Sequence, residues 1–189
     1  MNARDLLKTG AACFVKFALP FGLWLFLFYP AVLGQTPVVG DTAGFYTLAN
    51  FFINNLSHGV FALWNPFLFF GFPLLLEFLS FGTFNPFWLI ILLLHKLGVS
   101  PYLSFLWMYI GYFFLGQIGF YLLAKALLKD PRAAFMAFLT LLFSFLGMYI
   151  FFCPNDLFIF VPMAWFFYFL ECLEYGIYPL GPVNAGDIG

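Results

Sequence analysis

Charge is what this chain has least of. Only 8% of its residues are Asp, Glu, Lys or Arg, where a soluble domain carries about 25%. A water-facing surface cannot be built at that density, which excludes a soluble globular fold. Lysine and arginine together number 7, and none falls in the stretch 34–86. With a net charge of -1 there is no basic stripe to meet phosphates, which excludes a nucleic-acid partner. The three cysteines, Cys13, Cys153 and Cys172, lie in apolar surroundings without metal-type spacing and read as small packing residues. No Walker loop, nucleophile elbow or dinucleotide fingerprint occurs.

What the chain does have is apolar length. Hydrophobic residues make up 65% and aromatics 25%, with a mean hydropathy of +1.01. These values predict an all-α, polytopic integral membrane protein, a helical bundle with about four transmembrane helices. Arg4, Lys8 and Lys16 flank the first apolar run. No small-residue cleavage site follows them, so the run reads as an uncleaved anchor with a cytoplasmic N-terminus. Residues 17–33 then cross outward, 101–124 inward, 133–151 outward and 157–170 inward, with Glu171 and Glu174 at the inner face. The apolar segment 87–97 is short of the roughly 20 residues a span needs. It reads as interfacial or re-entrant, because a crossing there would put Lys125, Lys129 and Arg132 outside. Pro131 suits the first turn of a helix.

This gives a transmembrane module over 1–174 with a first outer loop at 34–100. The Gly/Pro-rich 175–189 is either a flexible tail or the start of a continuation, and the chain reads as a fragment of a longer one.

The first outer loop holds most of the chemistry. Phe45, Leu48, Ala49, Phe52, Ile53 and Leu56 recur at helical spacing, with Thr47, Asn50, Asn54, Asn55 and Ser57 on much of the other face. That predicts an amphipathic helix lying in the outer interface with its apolar face in the acyl boundary. Pro66, Gly71, Pro73, Gly82 and Pro86 then interrupt the chain too often for a span, predicting a structured cap.

On this topology Asp41, Glu77 and Asp156 are the outer carboxylates, and His58, His95 and Lys96 the outer bases. Five of the six have a structural explanation too: Asp41 and Asp156 as helix caps, Glu77 snorkelling to the interface, His58 and Lys96 as solvated interface residues. Two acids converging from separate loops would suit a general base on an acceptor hydroxyl, with the second acid orienting it or sharing a divalent metal.

The ordered landmarks carry a resemblance. Gly40-Asp41 follows the first span; Trp64-Asn65-Pro66-Phe67 and Gly71-Phe72-Pro73 come next, then Phe84-Asn85-Pro86 and the short apolar segment. A span ending in Lys125 and Lys129 leads to Gly147-Met148-Tyr149 and Pro154-Asn155-Asp156-Leu157, ahead of Ala164-Trp165. In this order they resemble the N-terminal part of polytopic membrane glycosyltransferases of the C-type fold, especially the YfhO-like family, over roughly 17–174.

The resemblance implies transfer of a sugar from a polyprenyl-phosphate-linked donor to an acceptor hydroxyl of a glycan, lipid or protein, on the outer face of a bacterial-type plasma (inner) membrane. It implies Asp41 and Asp156 as the catalytic acids; the departing phosphate calls for Mg or Mn held by these two acids, the expected cofactor, or for a base from a further C-terminal part. His58, Asn65, Glu77 and Lys96 are the expected substrate contacts. Two other classes compete: a non-enzymatic transporter, and an accessory or structural membrane subunit whose aromatic surface packs a partner.

Overall fold

A computed structural model of the chain describes residues 16–35, 41–62, 64–66, 71–73 and 86–174. Glu77, Cys13 and the segments 1–15 and 175–189 lie outside the described residues. Contacts divide the chain into two compact units, Met1–Val38 and Val39–Gly189.

The first unit contains α1 (Lys16–Leu27) and α2 (Tyr29–Val32). Pro30 has no N–H to give, yet the helical ladder continues around it. The Phe28 N–H donates to the Trp24 carbonyl and the Val32 N–H to that of Phe28, both at 3.0 Å. α1 is apolar over its described residues.

The second unit runs α3 (Asp41–Ser57), β1 (Trp64–Asn65), β2 (Phe72–Pro73), α4 (Trp88–Lys96), α5 (Pro101–Leu128), α6 (Pro131–Phe143), α7 (Phe145–Phe152) and α8 (Pro154–Glu174). The helix ends follow from local chemistry. Ser100 caps α5 by accepting the Leu103 N–H at 3.3 Å, with Pro101 in the first turn. Lys129 closes α5 in the left-handed region at φ 53. Asp130 caps α6, accepting the Arg132 N–H at 2.8 Å.

α5 is the central helix: 56% of its most apolar window is buried, against 28% for α8. α8 runs parallel to it, because Phe158 meets Tyr112 at 5.0 Å and Trp165 donates its indole N–H to the Leu115 carbonyl at 3.1 Å. Small residues allow the approach. A Cβ on Gly116 would stand 2.7 Å from Val161 Cγ2, and one on Gly119 2.8 Å from Trp165 Nε1. The α6–α7 arm returns antiparallel, with Phe138 against Tyr121 at one end and Phe151 against Tyr109 at the other.

Ser144 breaks that arm. Its backbone is extended (φ -83, ψ 164), and its hydroxyl accepts the Gly147 N–H and donates to the Leu141 carbonyl, each at 3.2 Å. α6 and α7 meet there at 56°. Gly147 lies so close to the Leu141 carbonyl that a Cβ has no room.

Among the described residues the regular structure is therefore helical, apart from a two-residue ladder, and two of these helices, α5 and α8, are long and apolar enough to cross a bilayer. The α6–α7 arm is a third if the bent pair is one span. This is fewer than the four expected. The run 133–151, expected to cross, is covered by the bent α6–α7 pair.

Two further elements of the expected outer loop take definite form. α4 is only nine residues long and folds back on α5 through a turn at Gly98 (φ 86), setting Phe87 against Tyr112 at 5.0 Å. α3 is not laid on lipid by its apolar face. Phe45, Ala49, Phe52 and Ile53 are buried, and Phe45 sits among Trp88, Phe105 and Phe158 at 5.5, 6.1 and 5.1 Å.

Candidate functional site

α7 ends at Phe152 because Pro154 starts a new helix, and the last carbonyls of a helix have no partner of their own. Two hydroxyls from other elements supply one. Thr42 Oγ1, buried in the first turn of α3, donates to the Phe152 carbonyl at 2.8 Å. Tyr109 Oη, buried on α5, donates to the Phe151 carbonyl at 2.7 Å. Each hydroxyl has one proton and donates it to a carbonyl, so the two side chains hold consecutive carbonyls at the end of α7.

These two bonds fix the first turn of α3 against the α7–α8 junction. Asp41 occupies that first turn of α3 and is exposed; Asp156 occupies the first turn of α8 and is half-buried. Helix N-termini carry partial positive charge, which favours a carboxylate in each place. Tyr149, exposed on the last turns of α7, stands near Cys153 and Asp156. Asn155 is exposed beside them. The outcome is that the first turns of α3 and α8, which carry Asp41 and Asp156, lie at the same end of the bundle as Tyr149 and Asn155, above buried Thr42 and Tyr109.

The other residues expected at the site sit elsewhere. His58 lies at the far end of α3, about 25 Å from Asp41 along the axis, where its Nδ1–H donates to the Asn54 carbonyl at 2.8 Å. Lys96 is exposed in the last turn of α4 beside His95, where a cation suits the helix C-terminus. Trp88, at the start of α4, is the end that reaches Phe45 and Phe158, so Lys96 lies about 12 Å further along.

Asn65 is buried in the β1–β2 ladder, where it pairs with Phe72 while Trp64 pairs with Pro73. That pairing explains why Trp64-Asn65-Pro66 and Gly71-Phe72-Pro73 both stand in the loop. Gly71 has φ 112 and packs its Cα against the Trp64 indole, which only glycine permits.

Tyr46, one turn along α3 from Asp41, is no acid–base candidate. Burial, with Tyr102 alongside at 5.4 Å, pushes its phenol above the usual value, so it stays neutral. Among the described residues no group of three or more His, Cys, Asp and Glu could hold a metal. The pair Asp41 and Asp156 matches only the mode in which magnesium takes one or two carboxylates and completes its shell with water and substrate phosphate.

Sequence reasoning gave no role to Thr42, Tyr109 or Tyr149. Thr42 adjoins Asp41 and Tyr149 stands in a quoted landmark, but Tyr109 carries no local signal, since its partner is 42 residues away. No family model, curated protein or solved structure matches this chain.

Proposed function

We propose that the Asp41–Asp156 end of the bundle is the acid–base centre of a membrane glycosyltransferase that takes a sugar from a polyprenyl-phosphate donor. The observation that carries this reading is the junction of the first turns of α3 and α8, pinned by Thr42 and Tyr109 onto the Phe152 and Phe151 carbonyls. It brings acids from two separate loops to one end of the bundle. Placing Lys125, Lys129 and Arg132 at the cytoplasmic end by the charge rule turns the acids to the outer face.

In this reading the Asp41 carboxylate accepts the proton of an acceptor hydroxyl as that oxygen forms its bond to the anomeric carbon. The bond between that carbon and the phosphate oxygen breaks, and its electron pair leaves with the polyprenyl phosphate. Tyr149 stands near Asp156, and the α8 N-terminus beside that acid favours the leaving phosphate. Asp41 and Asp156 would hold a divalent metal, which when bound neutralises phosphate charge. Thr42 and Tyr109 act below the site as positioning residues.

The test uses the full chain in proteoliposomes with a polyprenyl-phosphate sugar, reading release of polyprenyl phosphate. Asp41→Asn is expected to lower transfer by about 10²- to 10⁴-fold, the range for general-base loss, with unchanged expression and melting. Retained transfer removes Asp41 as the base.

One observation favours a transporter instead. The α6–α7 arm is a broken helix, and discontinuous helices line transporter sites. Gln117 on α5 is fully buried with both amide atoms unpartnered. It lies one turn from both Phe113, which meets Phe151, and Tyr121, which meets Phe138, and so shares the face toward that arm. Solute flux in the same vesicles without sugar transfer selects this reading.

A further inference from the structure

The other end of α5 holds a second concavity, about 24 Å along the axis from Tyr109. It is a cavity of ≈ 410 Å³ between the C-terminal turns of α5 and α8, within the size range of small-molecule sites. Lys125 and Lys129 stand one helical turn apart on its α5 wall, with Leu122 and Ala126 as apolar lining between and below them. Tyr168 and Glu171 face them from α8.

Two ammonium groups at i and i+4 repel each other, and Glu171 brings a single negative charge to two positive ones. The formal charges of the lining side chains therefore sum to +1. The Tyr168 hydroxyl adds a neutral donor. Leu127, Leu128, Phe169 and Leu170 on the same turns are exposed on other faces of α5 and α8, which suits a hydrocarbon environment around the cavity. The site thus sets cations at the end of two candidate spans whose outer surfaces are apolar.

We propose that this cavity binds the headgroup of an anionic phospholipid, its phosphodiester between Lys125 and Lys129 and an acyl chain along the α5–α8 surface. Basic pockets between membrane helices bind such headgroups. The occupant is a lipid rather than a soluble phosphate because the cavity opens at the end of the apolar helices and its walls are mostly carbon.

The full chain is reconstituted with spin-labelled phosphatidylglycerol or spin-labelled phosphatidylcholine, and the immobilised fraction of each label is measured. Phosphatidylglycerol is expected to be preferred by about tenfold, from two lysines near an anionic group. Lys125→Gln with Lys129→Gln should abolish the preference, and the matching Lys→Arg pair should keep it. Arg132→Gln with Lys96→Gln removes the same charge outside the cavity and should leave the preference intact.

If that control pair abolishes the preference as well, attraction is general and the site is wrong. Displacement of the label by inorganic phosphate would also overturn the proposal, in favour of a soluble anion. So would a Lys→Gln pair that keeps the preference. A fold defect in that pair is recognised by its melting in phosphatidylcholine alone, and the Arg pair then decides, with loss of the preference there counting against the site.

Discussion

At the residue scale, Phe45 joins more of the structure than any carboxylate does. Its ring touches Trp88 on α4, Phe105 on α5 and Phe158 on α8, so it sets where Asp41, one turn earlier, can lie. Phe45→Ala is expected to destabilise the protein by about 3–5 kcal/mol, read as a lowered melting temperature in detergent. Gln117 predicts the opposite sign. Its buried amide lacks a partner at both atoms, and such groups cost about 1–3 kcal/mol. Gln117→Leu is expected to raise the melting temperature while leaving sugar transfer intact. A stabilised variant that loses solute flux would instead assign Gln117 to a transport path.

At the element scale, glycines separate contact from freedom. Gly111 and Gly116 lie on the same helix, but a Cβ at Gly111 meets nothing within 4 Å while one at Gly116 meets Val161 and Phe160. Gly111→Ala is therefore expected to stabilise α5 by about 0.5–1 kcal/mol. Gly116→Leu should push α8 away and cost about 1–3 kcal/mol. Gly147→Ala tests the bend in the α6–α7 arm. With the Leu141 carbonyl in the way, the arm must change its angle, which moves the Phe151 and Phe152 carbonyls off Tyr109 and Thr42. Loss of transfer out of proportion to lost stability is the expected result; an unaffected enzyme would show that the site tolerates a different angle.

At the scale of the whole molecule, the long helices divide two kinds of chemistry between two ends. The first-turn acids of α3 and α8 mark one end, and the α5 lysines with the cavity mark the other. Lys96 and Asn155 are exposed toward the first end and Lys129 toward the second. Cysteines placed singly at these positions in a cysteine-free background test the arrangement. Positions 96 and 155 are expected to react with an impermeant thiol reagent from outside intact cells, and 129 only after permeabilisation. The reverse pattern would turn the acids to the cytoplasm and end the outer-face transferase.

The sequence by itself determined the membrane class, the helical content and many helix ends. Low charge, Ser100 before Pro101 and Asp130 before Pro131 act through solvent and nearest neighbours, which need no fold to operate. It also marked the buried face of α3, since Phe45, Ala49, Phe52 and Ile53 are fixed by period alone. What covers that face was not legible, because an apolar stripe is equally satisfied by acyl chains or by Trp88 and Phe158. The bend at Ser144 was hidden inside a continuous apolar run, although Ser144 and Gly147 already held its capping pair.

The candidate site was legible only in part. Asp41 and Asp156 stood out as rare charges in an apolar chain, whereas the hydroxyls of Thr42 and Tyr109 look ordinary until folding sets them on the orphan carbonyls of α7. Those hydrogen bonds link residues 110 and 42 positions apart, and only the tertiary structure could choose them, because a side chain's partner at that separation depends on how the helices pack.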